Sequence, residues 1–176
     1  MENTMSVTTA ELNDLFRYCE DIGMAATDRP INDTKNHEGS CDHRTVYCDE
    51  TCYNVKLYKI YPKMADRDDR CETIWKKLNR HNSDFTKFFS RKRYDTSRVR
   101  HMTRGEAFKT SVDVYRVKTM CLLNSDIMWW IPTRAWRDTK IKALIEKELM
   151  PLPNCAINAS FDPSNTDDEW KMMIDS

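Results

Sequence analysis

Residues 97–176 constrain the fold most, because their hydrophobic pattern switches repeatedly between two periods. SRVRHM (97–102), DIMWWIP (126–132) and NCAINASF (154–161) read as strands. A helix opens at Thr110 or Ser111 and runs through Leu123, another covers Asp138 to Leu149, and residues 166–174 give a last one. Strands alternating with helices of that length predict right-handed βαβ crossovers and a parallel sheet, an α/β fold. The chain holds only 3 Gly and 6 Pro, which argues against a turn-rich all-β design.

The first half reads as helical. Leu12, Leu15, Phe16, Cys19 and Ile22 form one stripe of a helix over 9–22, capped by Thr8 or Thr9 and closed by Gly23. Residues 24–40 read as a polar loop. From Asp49 the chain turns helical as far as Pro62, with Val55, Tyr58 and Tyr61 inward. A further helix over 63–80 buries Met64, Cys71, Ile74, Trp75 and Leu78, with Asp66–Arg70 and Glu72–Lys76 as i,i+4 ion pairs outside. A shorter helix covers 83–92. With 176 residues this is one domain: helix and loop over 1–40, a cysteine segment over 41–53, a helical segment over 54–96 and βα units over 97–176.

Three of the 7 cysteines cluster, Cys41, Cys48 and Cys52, in C-DHRTVY-C-DET-C-Y. Clustered thiols in a reducing compartment point to a metal, since thiolate is a soft anionic ligand for zinc or iron. Three thiolates on a [4Fe–4S] cluster leave one iron open to a further ligand. A zinc site needs a fourth ligand, and His37 and His43 flank the cysteines. Cys19, Cys71, Cys121 and Cys155 fall on apolar faces and read as buried, inert thiols.

Each strand runs into unusual polar residues: Thr103, Arg104, Gly105 and Glu106; then Pro132, Thr133 and Arg134; then Asp162, Pro163, Ser164 and Asn165. In parallel α/β folds ligand sites gather at the carboxyl ends of the strands. Taken singly, these residues also suit turns and helix caps; as a set they point to a site. Arg134 suits an anionic group, its planar fork matching carboxylate or phosphate, whereas Arg137 reads as solvent-facing.

The cysteine segment followed by Tyr53, then RHMTRGEAF, DIMWWIPTRAW and AINASFDPSN, resembles small phage-borne relatives of radical S-adenosylmethionine enzymes over roughly residues 36–165. The resemblance implies a partial parallel (β/α) barrel with an N-terminal helical region. It implies that Cys41, Cys48 and Cys52 hold a [4Fe–4S] cluster, that Tyr53 packs on it, and that its open iron chelates S-adenosylmethionine. Gly105-Glu106 would contact the cofactor's amino group, and Thr133, Arg134, Asp162 and Asn165 would face the same cavity. The implied chemistry is radical modification of a nucleotide, nucleic acid or other macromolecule. The alternative is a non-enzymatic phage accessory protein, stabilised by zinc or iron–sulfur, that binds a host or phage macromolecule. A partial barrel leaves room for a partner subunit or a second copy to complete it.

Charge does not choose between these partners, since 28 basic and 28 acidic residues balance. Locally, Lys87, Arg91, Lys92, Arg93, Arg98, Arg100 and Arg104 face one acid, Asp95, with Phe88, Phe89 and Tyr94 between them. That run over 87–104 suits phosphate contacts with base stacking, or equally a solvated face over core phenylalanines. Trp129 and Trp130, adjacent in a strand, point to opposite faces and read as core. The acidic tail from Asp162, with Trp170, Met172, Met173 and Ile174, reads as an edge helix or a docking segment. No apolar run of membrane length occurs, and the first residues lack the basic start and apolar core of a signal peptide. The expected location is the cytoplasm, that of the host if the chain is phage-encoded.

Overall fold

A computed structural model describes residues 7–78 and 97–174. In chain order the elements are α1 (Thr9–Leu15), β1 (Phe16–Cys19), a 3-10 turn (Glu20–Ile22), β2 (Met24–Asp28), α2 (Val46–Thr51), α3 (Tyr53–Ile60) and α4 (Pro62–Lys77). There follow β3 (Arg98–Arg104), α5 (Ser111–Leu123), β4 (Met128–Thr133), a 3-10 turn (Ala135–Arg137), α6 (Thr139–Glu148), β5 (Cys155–Ala159) and α7 (Asp167–Ile174). The expected helix over 83–92 and residues 87–96 of the basic run lie outside the described residues.

The strands form one five-stranded sheet in the order β1-β2-β3-β4-β5. β2, β3, β4 and β5 are parallel, and β1 is an antiparallel edge strand. The α/β class and the three strands expected in the second half are therefore present. The N-terminal reading is corrected. The expected helix over 9–22 stops at Leu15, and Phe16 is already extended at φ −101° and ψ 129°. Phe16 and Tyr18 are good strand formers, and pairing with β2 overrides the helical stripe. The hairpin turns at Gly23, whose φ of 62° suits glycine. β2 lies inside the stretch read as a polar loop: Ala25, Ala26 and Thr27 are fully buried.

Register separates the two faces of the sheet. Ala25, Val99, Trp129 and Cys155 align across four strands, and Ile131 follows on the same face. This face packs under α1, α4, α5 and α6 through Leu12, Leu15, Trp75, Val117, Met120 and Ile145. Burying it removes several large side chains from water, each worth about 1.5–3 kcal/mol. The neighbouring row, Ala26, Arg100, Trp130 and Ala156, points the other way. The two alanines leave space there, and the Arg100 guanidinium lies 4.7 Å over the Trp130 ring. Trp130 is thus half-buried on the opposite face from the fully buried Trp129.

Between β2 and β3 the register slips, from Ala26↔Arg100 to Asp28↔Arg104. The irregularity contains Met102, a non-glycine residue with φ of 66°. Thr27 holds it: its Oγ1 accepts the Met102 N–H at 3.0 Å and stands 2.9 Å from His101 Nδ1. His101 is fully buried against the Trp75 ring, centroids 5.0 Å apart. Burial first, then the Arg29 guanidinium, pushes the His101 pKa down to about 3.

The sign of that shift gives a test. His101 is neutral when folded and protonates near pH 6.5 when unfolded, so its contribution is complete above 6.5 and is lost as pH falls towards 3. Urea unfolding should lose about 1.4 kcal/mol per pH unit through this window from His101 alone. His101→Leu should lower the plateau at pH 8 and flatten the slope between pH 6.5 and 5. An unchanged slope in the variant would remove His101 as the titrating group.

Candidate functional site

A cavity of about 330 Å³ opens at the carboxyl edge of the parallel sheet, on the face away from the helical layer. Its wall includes all three clustered cysteines and the ends of β3, β4 and β5: Cys41, Cys48 and Cys52 with Gly105-Glu106, Pro132 to Arg134, and Ser160. Residues remote in sequence meet there because parallel strands deliver their ends to one side.

The cysteine segment is more ordered than the sequence suggested. α2 begins at Val46, before the expected start at Asp49. Thr45 caps it, its Oγ1 accepting the Cys48 N–H at 3.1 Å. Cys52 is the joint between α2 and α3. All three thiols are half-buried. Burial first, then the Glu106 carboxylate and the Cys52 and Cys48 thiols, pushes the Cys41 pKa up to about 12, with Arg44 acting the other way. Three thiols beside a carboxylate form an environment that a bound cation relieves. Among the described residues no group of three or more His, Cys, Asp or Glu is arranged to hold a metal as it stands. The three thiols share one cavity wall and are of the donor type that soft metals take, but their positions do not form a ligand set. Of the two histidines, His37 is engaged elsewhere, 2.7 Å from Thr73 Oγ1 and 3.2 Å from Lys76 Nζ. His43 lines the cavity, and its buried Nε2 has no hydrogen-bond partner.

Glu106 is buried at 5% exposure. Its Oε1 accepts from Thr133 Oγ1 and from the Phe108 N–H at 3.2 Å, and its Oε2 accepts the Arg134 N–H at 2.8 Å. Oε2 keeps a lone pair for one further donor. Gly105, at φ of 78°, is required by the protein itself: a Cβ there would sit 2.5 Å from Ser40 Oγ and 2.6 Å from the Arg29 carbonyl oxygen. Ser40 Oγ in turn accepts the Glu106 N–H at 2.9 Å.

The remaining expected site residues divide. Thr133 and Arg134 line the cavity. The Arg134 guanidinium, expected to meet an anion, is paired with Asp162 at 2.9 Å. Asp162 and Asn165 stand behind the wall. Asp162 accepts Thr45 Oγ1 at 2.6 Å and so ties the end of β5 to the cap of the cysteine helix. Asn165 Oδ1 accepts the Asp162 N–H at 2.8 Å. Tyr53 is 64% exposed and lines a second cavity next to the first. Arg137, expected in solvent, instead pairs with Glu169 at 2.8 Å and donates to the carbonyls of His43 and Arg44. The tail helix docks on its own chain, with Trp170 stacked on Phe161 at 4.3 Å and Phe161 on Trp136 at 4.4 Å.

The residues that sequence reading missed are the buried ions. Asp28 receives Arg17 and Arg67 at 2.7 Å and Arg104 at 2.9 Å. Asp68 receives Arg104 at 2.7 Å and the Tyr58 hydroxyl at 2.7 Å. Arg29 forks onto Glu72 at 2.6 and 2.8 Å. Glu72 was expected outside and is 1% exposed; its 3.7 Å contact with Lys76 is secondary. Arg70 bonds the Asp66 carbonyl rather than its carboxylate. A weak signal existed: DRDDR on a helix has too many acids facing both ways for a single solvated face. Comparison with family models, characterised proteins and solved structures gave no match.

The glycines give a controlled test. Gly105→Ala should cost more than the roughly 1–2 kcal/mol of a left-handed backbone, because the new methyl meets backbone on one side. Gly23→Ala has a similar φ and nothing within 4 Å, so it should cost the backbone term alone. Urea unfolding of both variants checks the difference. Equal losses would mean that the Arg29 and Ser40 contact is not the constraint.

Proposed function

We propose that this chain is an iron–sulfur protein of radical-S-adenosylmethionine-like type, built as a partial parallel (β/α) barrel. The observation that carries the reading is one cavity lined by three thiols of a single segment and by the ends of three successive strands. Sequential strand order, with the packed helices on one face, is the arrangement of a barrel segment. Cys41, Cys48 and Cys52 would hold a [4Fe–4S] cluster. The chemistry supplied by such a cluster, when bound, is one-electron reduction of the sulfonium cofactor.

The protein's own residues do the positioning. Glu106, fixed by Thr133 and the Arg134 N–H, offers Oε2 to an ammonium group. Gly105 lets the β3 turn close onto Ser40, which holds the cysteine segment against the sheet. Asp162 anchors Thr45 and thereby the start of the helix that carries Cys48. The half-buried walls limit water around the thiols.

One observation favours a second reading. His43 lines the same cavity with a buried, unpartnered Nε2, so Cys41, Cys48, Cys52 and His43 would supply the donors of a Cys3His zinc site. Such a site would make the chain a metal-stabilised accessory protein with no radical chemistry.

Anaerobic purification and reconstitution separate the two. The expected protein is brown, with about four iron and four sulfide per chain, and loses colour in each Cys→Ala variant while His43→Ala keeps it. Colourless protein with one tightly held zinc, weakened by His43→Ala, would overturn the iron–sulfur reading.

Cofactor binding is checked on the reconstituted protein. Glu106→Gln keeps the side-chain shape but removes the charge, and should weaken S-adenosylmethionine by about 1.5–3 kcal/mol in calorimetry. Wild-type affinity in this variant would exclude Glu106 from the cofactor site.

A further inference from the structure

The second cavity, about 650 Å³, shares Asn54, Arg100, Thr103 and Arg104 with the cysteine cavity. Its volume is that of a small-molecule site. Five cations line it, Arg17, Lys63, Arg67, Arg100 and Arg104, against one acid, Asp21. The chain as a whole is neutral, so this concentration is local.

Three of those cations are already matched. Arg17, Arg67 and Arg104 converge on the buried carboxylates of Asp28 and Asp68 behind the wall. Arg100 and Lys63 are different. Among the described residues neither has a carboxylate partner, and the buried Nε of Arg100 has no hydrogen-bond partner. The Arg100 guanidinium lies over the π face of Trp130. With Asp28, Asp68 and Asp21 counted against the five cations, two positive charges stay uncompensated among the described residues. A half-buried guanidinium with a buried, unpartnered Nε leaves a donor for a ligand to complete.

A ligand that answers both Arg100 and Lys63 is an anion, and a phosphate monoester carries about two charges. The cavity also carries Tyr53, a 64% exposed aromatic on the residue after Cys52. An exposed ring beside unmatched cations provides stacking for a base and charge for its phosphate.

We infer that the second cavity binds a nucleoside monophosphate, with Arg100 and Lys63 on the phosphate and Tyr53 against the base. The shared wall of Asn54, Arg100, Thr103 and Arg104 sets this ligand beside the cysteine cavity. Its role as the substrate rests on the radical-chemistry reading; its binding does not.

The test is calorimetry with the full chain, both metal-free and anaerobically reconstituted. The probes are the four common nucleoside 5′-monophosphates, the matching nucleosides, ribose 5-phosphate and inorganic phosphate. At least one monophosphate should bind more tightly than its nucleoside and than inorganic phosphate, and more weakly as salt rises. Arg100→Gln and Lys63→Gln should each weaken it roughly ten- to a hundred-fold. Tyr53→Ala should weaken the monophosphate but not ribose 5-phosphate. Lys63 and Tyr53 are exposed, so both variants fold and keep the test decisive even if Arg100→Gln does not. Equal affinity for monophosphate and inorganic phosphate, or wild-type affinity in Lys63→Gln and Tyr53→Ala, would overturn the inference. Nucleotide binding without an iron–sulfur cluster would uphold it while sinking the radical reading. A cluster with S-adenosylmethionine binding and no nucleotide binding would do the reverse.

Discussion

The buried guanidinium of Arg29 is the interaction on which the rest of the structure depends. It follows β2 directly, is 2% exposed, and meets α4 through Glu72 and α5 through Asp113, the latter at 3.2 Å. Its remaining N–H groups reach the carbonyls of Glu106 and Ala107 at 3.2 and 3.3 Å. Burial alone pushes its pKa down, but Glu72 and Asp113 outweigh burial and raise it. Removing one partner from such a network costs about 3–5 kcal/mol, because a charge is then left buried and alone. An apolar side chain of similar volume could fill the space. It could not bond two carbonyls of the turn after β3 and two helices together. Arg29 therefore sets where the cavity wall stands relative to the helical layer.

From that anchor the wall is a continuous run of hydrogen bonds. The Arg29 N–H donates to the Arg104 carbonyl at 3.1 Å, which joins the end of β2 to the end of β3. Ser40 bonds Glu106, Glu106 bonds Thr133 and the Arg134 N–H, Arg134 pairs with Asp162, and Asp162 returns through Thr45 to Cys48. Each strand end thus contributes a link, and the thiols hang from a fixed frame. This is why Asp162, Asn165 and Arg137 matter to the site without lining it. Their work is to hold the segment that does.

Much of the fold was legible in the sequence because local and tertiary preferences agree there. Capping by Asp138, whose Oδ1 accepts the Lys140 and Ile141 N–H groups at 2.8 and 3.1 Å, begins α6 where the pattern placed it. Gly105-Glu106, Thr133 and Arg134 were legible by the rule that parallel strands bring their ends together. The N-terminal hairpin was not, since Leu12, Leu15, Phe16 and Cys19 satisfy a helical stripe and only pairing with β2 turns the last two into a strand. The ion network was illegible for a related reason. Asp28, Arg29, Asp68, Glu72 and Arg104 look like surface charges unless their partners are known, and those partners lie tens of residues away. Arg100, read as part of the basic run, alternates with the buried Val99 and His101 in a strand, and so faces the opposite side, away from the helices.

The two cavities share a wall in a way that follows from the sheet. Thiols and Glu106 gather where the cysteine segment crosses the strand ends, and Arg44, Arg100, Arg104 and Arg134 line the same cavity. The guanidiniums gather where β1, β2 and β3 meet α4, which makes the neighbouring cavity suited to an anion. Asp28 and Asp68 lie behind the shared wall and neutralise just enough of the cations to let them stand together. The slip between β2 and β3 contributes to both sides at once. It takes Met102 through a left-handed backbone and leaves Thr103 and Arg104 on the partition between the cavities. A sheet with regular register would alternate those side chains between the two faces and could not put both on one wall. One irregularity of register thus gives the two cavities a common wall, with Thr103 and Arg104 lining each.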